Sequence, residues 1–143
     1  MAEADESGGG RTAGSVAGAA ARILGPRSVR TLHNAADALV PPGADGSPGA
    51  GDVDLSPHVE RSLRHQGPGA ARRLVTLLGC LEWQPLLTLR ARRSFSALPR
   101  ARRQELLRRW EHSRLRSRRQ ALAALRRVVE EGLAERNQSS PGA

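Results

Sequence analysis

Apolar residues recur three or four positions apart through the middle of this chain, which is the spacing of a helix with one buried face. The pattern predicts a first helix over residues 28–39. This helix ends before the pair of prolines that follows, because proline lacks the amide hydrogen that a helix needs. After a loop rich in Pro, Gly and Asp, a second helix is expected from Ser56, with Pro57 in its first turn, to the Gly/Pro stop at residues 67–69.

A third helix is expected from about Ala70, where leucines repeat at helical spacing. Pro85 should end or kink this helix, because its ring clashes with the preceding turn and it cannot donate a backbone hydrogen bond. The next segment, residues 86–93, is ambiguous.

Two amphipathic segments close the pattern. One opens at Ser96 or Pro99 and carries its apolar residues to about His112. The other holds leucines and valines at helical spacing between residues 115 and 133, although Gly132 weakens its last turn. Both are expected to be helices with one buried face and one charged face.

The chain is therefore predicted to be all-α, a small bundle of four to six helices. Residues 27–135 form the helical domain, and residues 1–26 and 136–143 are expected to be disordered tails. Aromatic residues are scarce, which favours a helical core, because β-sandwiches and β-barrels depend on aromatic and β-branched residues. The aromatic residues are Trp83, Phe95 and Trp110 alone, and all three are expected to lie in the core.

The charge of the chain is strongly positive and unevenly placed. Residues 61–127 hold eighteen arginines and three acidic residues, and the chain has no lysine. Such a surface favours acidic partners: nucleic acid, anionic lipid headgroups or an acidic protein face. Nucleic-acid binding is kept as an alternative function. The arginines are interleaved with the apolar face of a helix, and neither a helix-turn-helix nor an aromatic stacking platform is recognisable.

No catalytic constellation can be read from the sequence. His33, His58, His65 and His112 lack a third ligand at metal-binding spacing and are expected to be solvated. Cys80 lies inside an apolar run and is expected to be buried and inert. No phosphate-binding glycine loop or activated nucleophile is recognisable. The chain is therefore expected not to be an enzyme, and no cofactor or metal site is predicted.

The first residues and the hydropathy bear on location. The chain begins with an acidic segment, no apolar stretch of secretory-signal type follows, and no twin-arginine pair precedes the Ala-rich region. No run of about 18 apolar residues is present. The expectation is a cytoplasmic protein without a membrane-spanning helix.

Several motifs between Ala36 and Val129 carry a resemblance to a known family. The first begins at Ala36 and reads Ala-Asp-Ala-Leu-Val-Pro-Pro-Gly, the second is Phe-x-x-Leu-Pro over residues 95–99, and the third is Arg-x-x-Leu-Leu-x-x-Trp-x-x-Ser over residues 103–113. Over residues 28–130 the chain resembles the small-subunit family of gluconate 2-dehydrogenase, often called subunit 3. It is also similar to the helical segment that precedes the flavin domain in long-chain alcohol oxidases and related glucose–methanol–choline oxidoreductases.

The resemblance implies a function without catalysis. It implies an accessory small subunit that binds and stabilises a flavin-dependent alcohol or sugar oxidoreductase in trans. The flavin and the catalytic histidine of such systems belong to the large subunit.

The residues themselves offer a candidate partner interface around Trp110. Arg108, Arg109 and Arg114 surround this tryptophan in the sequence, and aromatic and arginine side chains anchor many protein interfaces. Arginine can also pair bidentately with carboxylates of a partner. In this interpretation Trp110 caps an exposed apolar patch, whereas in the alternative it lies in the core.

Overall fold

The described part of the chain is a helical bundle. A computed structural model describes residues 22–87 and 92–139, which form five complete α-helices and two short 3₁₀ helices and contain no strand. The prediction of an all-α bundle is confirmed. In chain order the elements are α1 (Pro26–Leu39), a 3₁₀ helix (Ala50–Asp52), α2 (Ser56–Gln66), α3 (Pro68–Leu87), a second 3₁₀ helix (Phe95–Ala97), α4 (Arg100–Glu111) and α5 (Arg116–Ser139).

The helix boundaries follow the predicted ones closely, with two differences in the long helices. α3 passes Pro85, which is buried within it, and ends two residues later. α5 continues to Ser139, beyond the predicted domain boundary at residue 135. Residues 22–24, which the predicted N-terminal tail included, are helical. The rest of that tail, residues 88–91 and residues 140–143 lie outside the described part of the chain.

The centre of the bundle is the alanine-rich face of α1. Ala35 and Ala36 are fully buried and Ala38 is nearly so, and this helix contacts α3, α4 and α5. Small side chains let neighbouring helices approach closely. Phe95, from the second 3₁₀ helix, is the largest fully buried side chain, and Trp110 of α4 is also buried. Trp83 is not in the core, contrary to the prediction, because 54% of it is exposed.

A tight corner follows α1. The backbone N–H of Val40 donates to the carbonyl of Ala36 at 3.0 Å and closes the helix, and the N–H of Ala50 donates to the carbonyl of Val40 at 2.8 Å. Gly49 packs directly on Pro42, where a Cβ atom would lie 2.6 Å from the proline nitrogen. The Ala-Asp-Ala-Leu-Val-Pro-Pro motif therefore builds a structural corner.

Two arginines of α4 bind α1. The guanidinium of Arg100 donates to both carboxylate oxygens of Asp37, at 2.9 and 2.7 Å. Arg103, whose side chain is 13% exposed, donates to the side-chain oxygen of Asn34 at 2.8 Å. A bidentate arginine–carboxylate pair fixes geometry better than a single ion pair. Part of the arginine cluster thus has a structural role.

The carboxylate of Glu82 joins three elements. It accepts hydrogen bonds from the hydroxyls of Thr31 in α1 at 2.8 Å and of Ser96 in the second 3₁₀ helix at 2.7 Å. The backbone N–H of Ser96 donates to it as well. Burial alone raises the pKa of Glu82, but these hydrogen bonds outweigh burial and hold the pKa below its ordinary value.

The far end of α5 is attached to α2 by charged groups. Nδ1 of His58 donates to the carboxylate of Glu135 at 2.6 Å, and Arg61 pairs with the same carboxylate at 2.7 Å. The hydrogen bond from His58 and the charge of Arg61 hold the pKa of Glu135 below its ordinary value. Gly132 lets the helices approach, because a Cβ atom there would lie 2.9 Å from Cδ2 of Leu55. These contacts hold the C-terminal part of α5 against α2, and α5 continues past the predicted domain boundary at residue 135.

We expect the substitution Glu82→Ala to lower the free energy of unfolding by about 1–2 kcal/mol at neutral pH, because it removes an acceptor shared by several donors. A carboxyl whose pKa is depressed on folding contributes stability above its unfolded pKa, and this contribution is lost as the pH falls through the folded pKa. The difference between variant and wild type should therefore shrink in acid.

Urea unfolding followed by far-ultraviolet circular dichroism, at neutral pH and in acid, measures both quantities. Glu130→Ala, at an exposed position of α5, is the control and should change stability by less than about 0.5 kcal/mol. If Glu82→Ala lowers the free energy of unfolding by the same amount at both pH values, the assigned role of the carboxylate is wrong.

Candidate functional site

The outer surface of α3 is unusually apolar for a helix that faces solvent. Of the fourteen residues from Leu74 to Leu87, only Glu82 is charged, and its carboxylate binds Thr31 and Ser96 within the bundle. Trp83 is 54% exposed and Leu87 is 79% exposed. A helix that is apolar on all sides is normally buried, so α3 has a face that the rest of the described chain leaves uncovered.

An apolar groove runs beside this face. Helices α3 and α5 both pack on α1 and α2, and between them a cavity of about 640 Å³ opens to solvent. Its walls come from three helices and are mostly aliphatic. They include Val59 and Leu63 of α2, Leu74 and Leu77 of α3, and Ala121, Ala124, Leu125 and Val128 of α5.

A second cavity of about 350 Å³ continues the first one toward α4. The two share Leu77, Ser117 and Ala121, and the second adds Leu87 and the wall formed by Trp110. We call the two cavities together the α3–α5 groove.

The charges around the groove are of one sign. Arg72 and Arg73 of α3 line the first cavity and Arg118 of α5 lines the second, while neither cavity is lined by a carboxylate. The guanidinium carbon of Arg118 lies 5.8 Å from the centroid of the Trp110 ring, which holds this cation beside the groove. The groove is therefore apolar inside and positive around its margin.

The candidate interface predicted from the sequence is changed by the structure. Trp110 is only 5% exposed, and its indole N–H donates to the side-chain oxygen of Gln84, so it does not cap an exposed patch. It forms part of the groove wall instead. Arg108, Arg109 and Arg114 are exposed, and none of them lines either cavity. Trp83 is the exposed tryptophan.

Two further residue predictions are corrected. Cys80 is exposed and lines the groove, because Leu78 and Leu81 supply the buried face of α3 and Cys80 lies on another side. His58 is not solvated but bound to Glu135, whereas the other three histidines are exposed as expected.

Within residues 22–87 and 92–139, no three side chains of His, Cys, Asp or Glu are grouped so that they could hold a metal ion. Over the same residues, no helix combines the length and the apolarity needed to cross a bilayer. Asp52 and Asp54 lie two residues apart. The carboxylate of Asp52 accepts a hydrogen bond from the backbone N–H of Gly49, and that of Asp54 accepts one from the backbone N–H of Ser56.

Comparisons of the chain with protein-family models, with curated proteins and with solved structures found no match.

A signal for the groove was present in the sequence. The near absence of charge between Leu74 and Leu87 differs from the neighbouring helices, where arginines alternate with the apolar positions. Helical periodicity alone does not reveal which face of α3 is uncovered, because a helix with apolar residues on every side has no preferred buried face. The composition of the outer face, and not the spacing of the leucines, distinguishes α3 as a helix with an uncovered apolar face.

Trp83 and Cys80 report the exposure of α3, and the buried Trp110 of α4 serves as the comparison. In the variant Trp110→Phe only Trp83 fluoresces, and in Trp83→Phe only Trp110 does. Acrylamide should quench the first variant severalfold more efficiently than the second, because Trp83 is half exposed and Trp110 is buried. Cys80 should react fully with a thiol reagent in the folded protein. Equal quenching of the two tryptophans, or a thiol that reacts only after unfolding, would contradict this placement of α3.

Proposed function

We propose that this chain is a non-catalytic helical subunit that binds another protein through the uncovered face of α3 and the α3–α5 groove. The observation that carries the proposal is the row of exposed apolar side chains on α3, beside a groove with a positive margin. Contiguous apolar patches of this kind on a monomer mark interaction sites, since their exposure to water is unfavourable.

The partner proposed is a flavin-dependent alcohol or sugar oxidoreductase, which the chain would bind and stabilise in trans. The support is the resemblance of residues 28–130 to the gluconate 2-dehydrogenase small-subunit family. The resembling motifs have structural roles in this chain. The first forms the corner after α1, and the third supplies buried Leu107 and Trp110 of α4. In this chain the motifs therefore belong to the helical scaffold, and co-purification tests the identity of the partner.

Binding of nucleic acid is the alternative, and one observation favours it. Exposed arginines gather where α4 ends and α5 begins, among them Arg108, Arg114 and Arg116. Other arginines of the cluster are paired within the chain, as Arg100 is with Asp37 and Arg109 with Glu105 at 3.0 Å. The one exposed aromatic, Trp83, belongs to α3 and not to α4 or α5. These pairings weaken the electrostatic case, because fewer cations are available to neutralise phosphates.

Co-purification distinguishes the two functions. The tagged full-length chain, isolated from its native host at low salt, should carry a protein with the yellow absorbance of bound flavin. The substitutions Trp83→Gln and Leu87→Gln together should abolish this association, since they make the outer face of α3 polar. Leu115→Gln is the matched control, because Leu115 is as exposed as Trp83 but lies outside α3.

Three results would count against the proposal. Nucleic acid that elutes steeply with salt, without flavoprotein, supports the alternative. Flavoprotein that is retained by the Trp83/Leu87 variant places the interface elsewhere. The absence of any bound flavoprotein at low salt overturns the proposed partner.

A further inference from the structure

We infer that the α3–α5 groove holds a single amphipathic helix of the partner, with a leucine-rich face toward the groove and acidic residues along its flanks. This inference rests on the proposed function and specifies how the partner is recognised. The occupant would complete the bundle as one more helix between α3 and α5.

The shape of the groove fits a helix. It runs along α3, whose 20 residues span about 30 Å at the rise of an α-helix, from the α2 wall to Trp110. Amphipathic helices bind by placing apolar residues three, four and seven positions apart into such a groove. A long, open trough fits this mode better than a compact ligand, which would fill one end only.

The two walls differ in a way that suits helix packing. On α5 three of the residues that line the groove are small: Ser117, Ala121 and Ala124 follow one another at spacings of four and three residues. On α3 the facing residues are Leu74 and Leu77. Small residues on one wall allow the axis of a docked helix to approach within the usual 8–10 Å. Leucines on the other wall provide side chains that pack between those of the occupant.

The charges select an acidic occupant. Arg72, Arg73 and Arg118 are the only charged residues among those that line the two cavities. Arginine pairs well with carboxylates, and charges of like sign across an interface oppose binding. A second copy of this chain fits poorly through α4 or α5, because their exposed faces are rich in arginine. The charge pattern thus favours a partner helix over self-association.

The test uses the full-length protein and a synthetic helical peptide of about 18 residues, roughly as long as the groove. Its leucines recur three or four positions apart and glutamates flank them; a second peptide has lysine in place of each glutamate. Binding is followed by the fluorescence anisotropy of labelled peptide and by the rate of alkylation of Cys80, which lines the groove. The acidic peptide should bind saturably, slow the alkylation of Cys80, and bind at least about tenfold more tightly than the lysine peptide.

Two matched pairs of variants locate the binding. Ala124→Trp fills the groove and should weaken binding at least about tenfold, whereas Ala123→Trp, at an exposed neighbouring position that does not line the groove, should change it less than about twofold. Arg73→Glu should weaken binding of the acidic peptide and improve that of the lysine peptide. Arg127→Glu, exposed but outside the groove lining, should do so much less. Circular dichroism checks that each variant is folded.

Several outcomes would overturn the inference. They are equal effects of Ala124→Trp and Ala123→Trp, failure of the acidic peptide to bind, and protection of Cys80 in the isolated monomer, which would mean that the chain covers its own groove. Association into a dimer that Ala124→Trp abolishes would assign the groove to a second copy. A flavoprotein that still co-purifies with Ala124→Trp but not with the Trp83/Leu87 variant would leave the proposed function standing and remove only the groove helix.

Discussion

The bundle depends on close packing around the alanine face of α1. Because Ala35 and Ala36 fill little volume, three helices can share this one surface, and a chain with few aromatics can still build a core. The same arrangement limits what can be covered. One side of α3 is buried from Ala70 to Pro85, and another side, with Trp83 and Leu87, stays open.

Polar contacts then fix how the outer helices are placed on this centre. Glu82 joins α3 to α1 and to the second 3₁₀ helix, the Asp37–Arg100 pair joins α4 to α1, and the His58–Glu135 pair joins α5 to α2. Glu82 lines neither cavity of the groove. Some of the arginines, such as Arg100, therefore stabilise the bundle and are not available to bind a partner.

The sequence predicted most of the fold and little of the site. Periodicity placed α1, α2 and α4 well, and the burial of Phe95 and Trp110 agreed with the expected core. Cys80 and Trp83 were assigned to the wrong environment, because a helix that is apolar all round does not reveal which face is covered. The groove itself forms because α3 and α5 both pack on α1 and α2 with a space between them. The local sequence marks α3 as apolar but does not place α5 beside it.

Oxidative footprinting by hydroxyl radicals, read out by mass spectrometry on the free chain and on the purified complex, tests the central claim that the open face of α3 is where a partner binds. Modification of Trp83, Cys80 and Leu87 should fall sharply in the complex, while that of Leu115, which is as exposed as Trp83, stays unchanged. Protection confined to Leu115 and the arginine-rich α4–α5 junction, with Trp83 as reactive as before, would contradict the account.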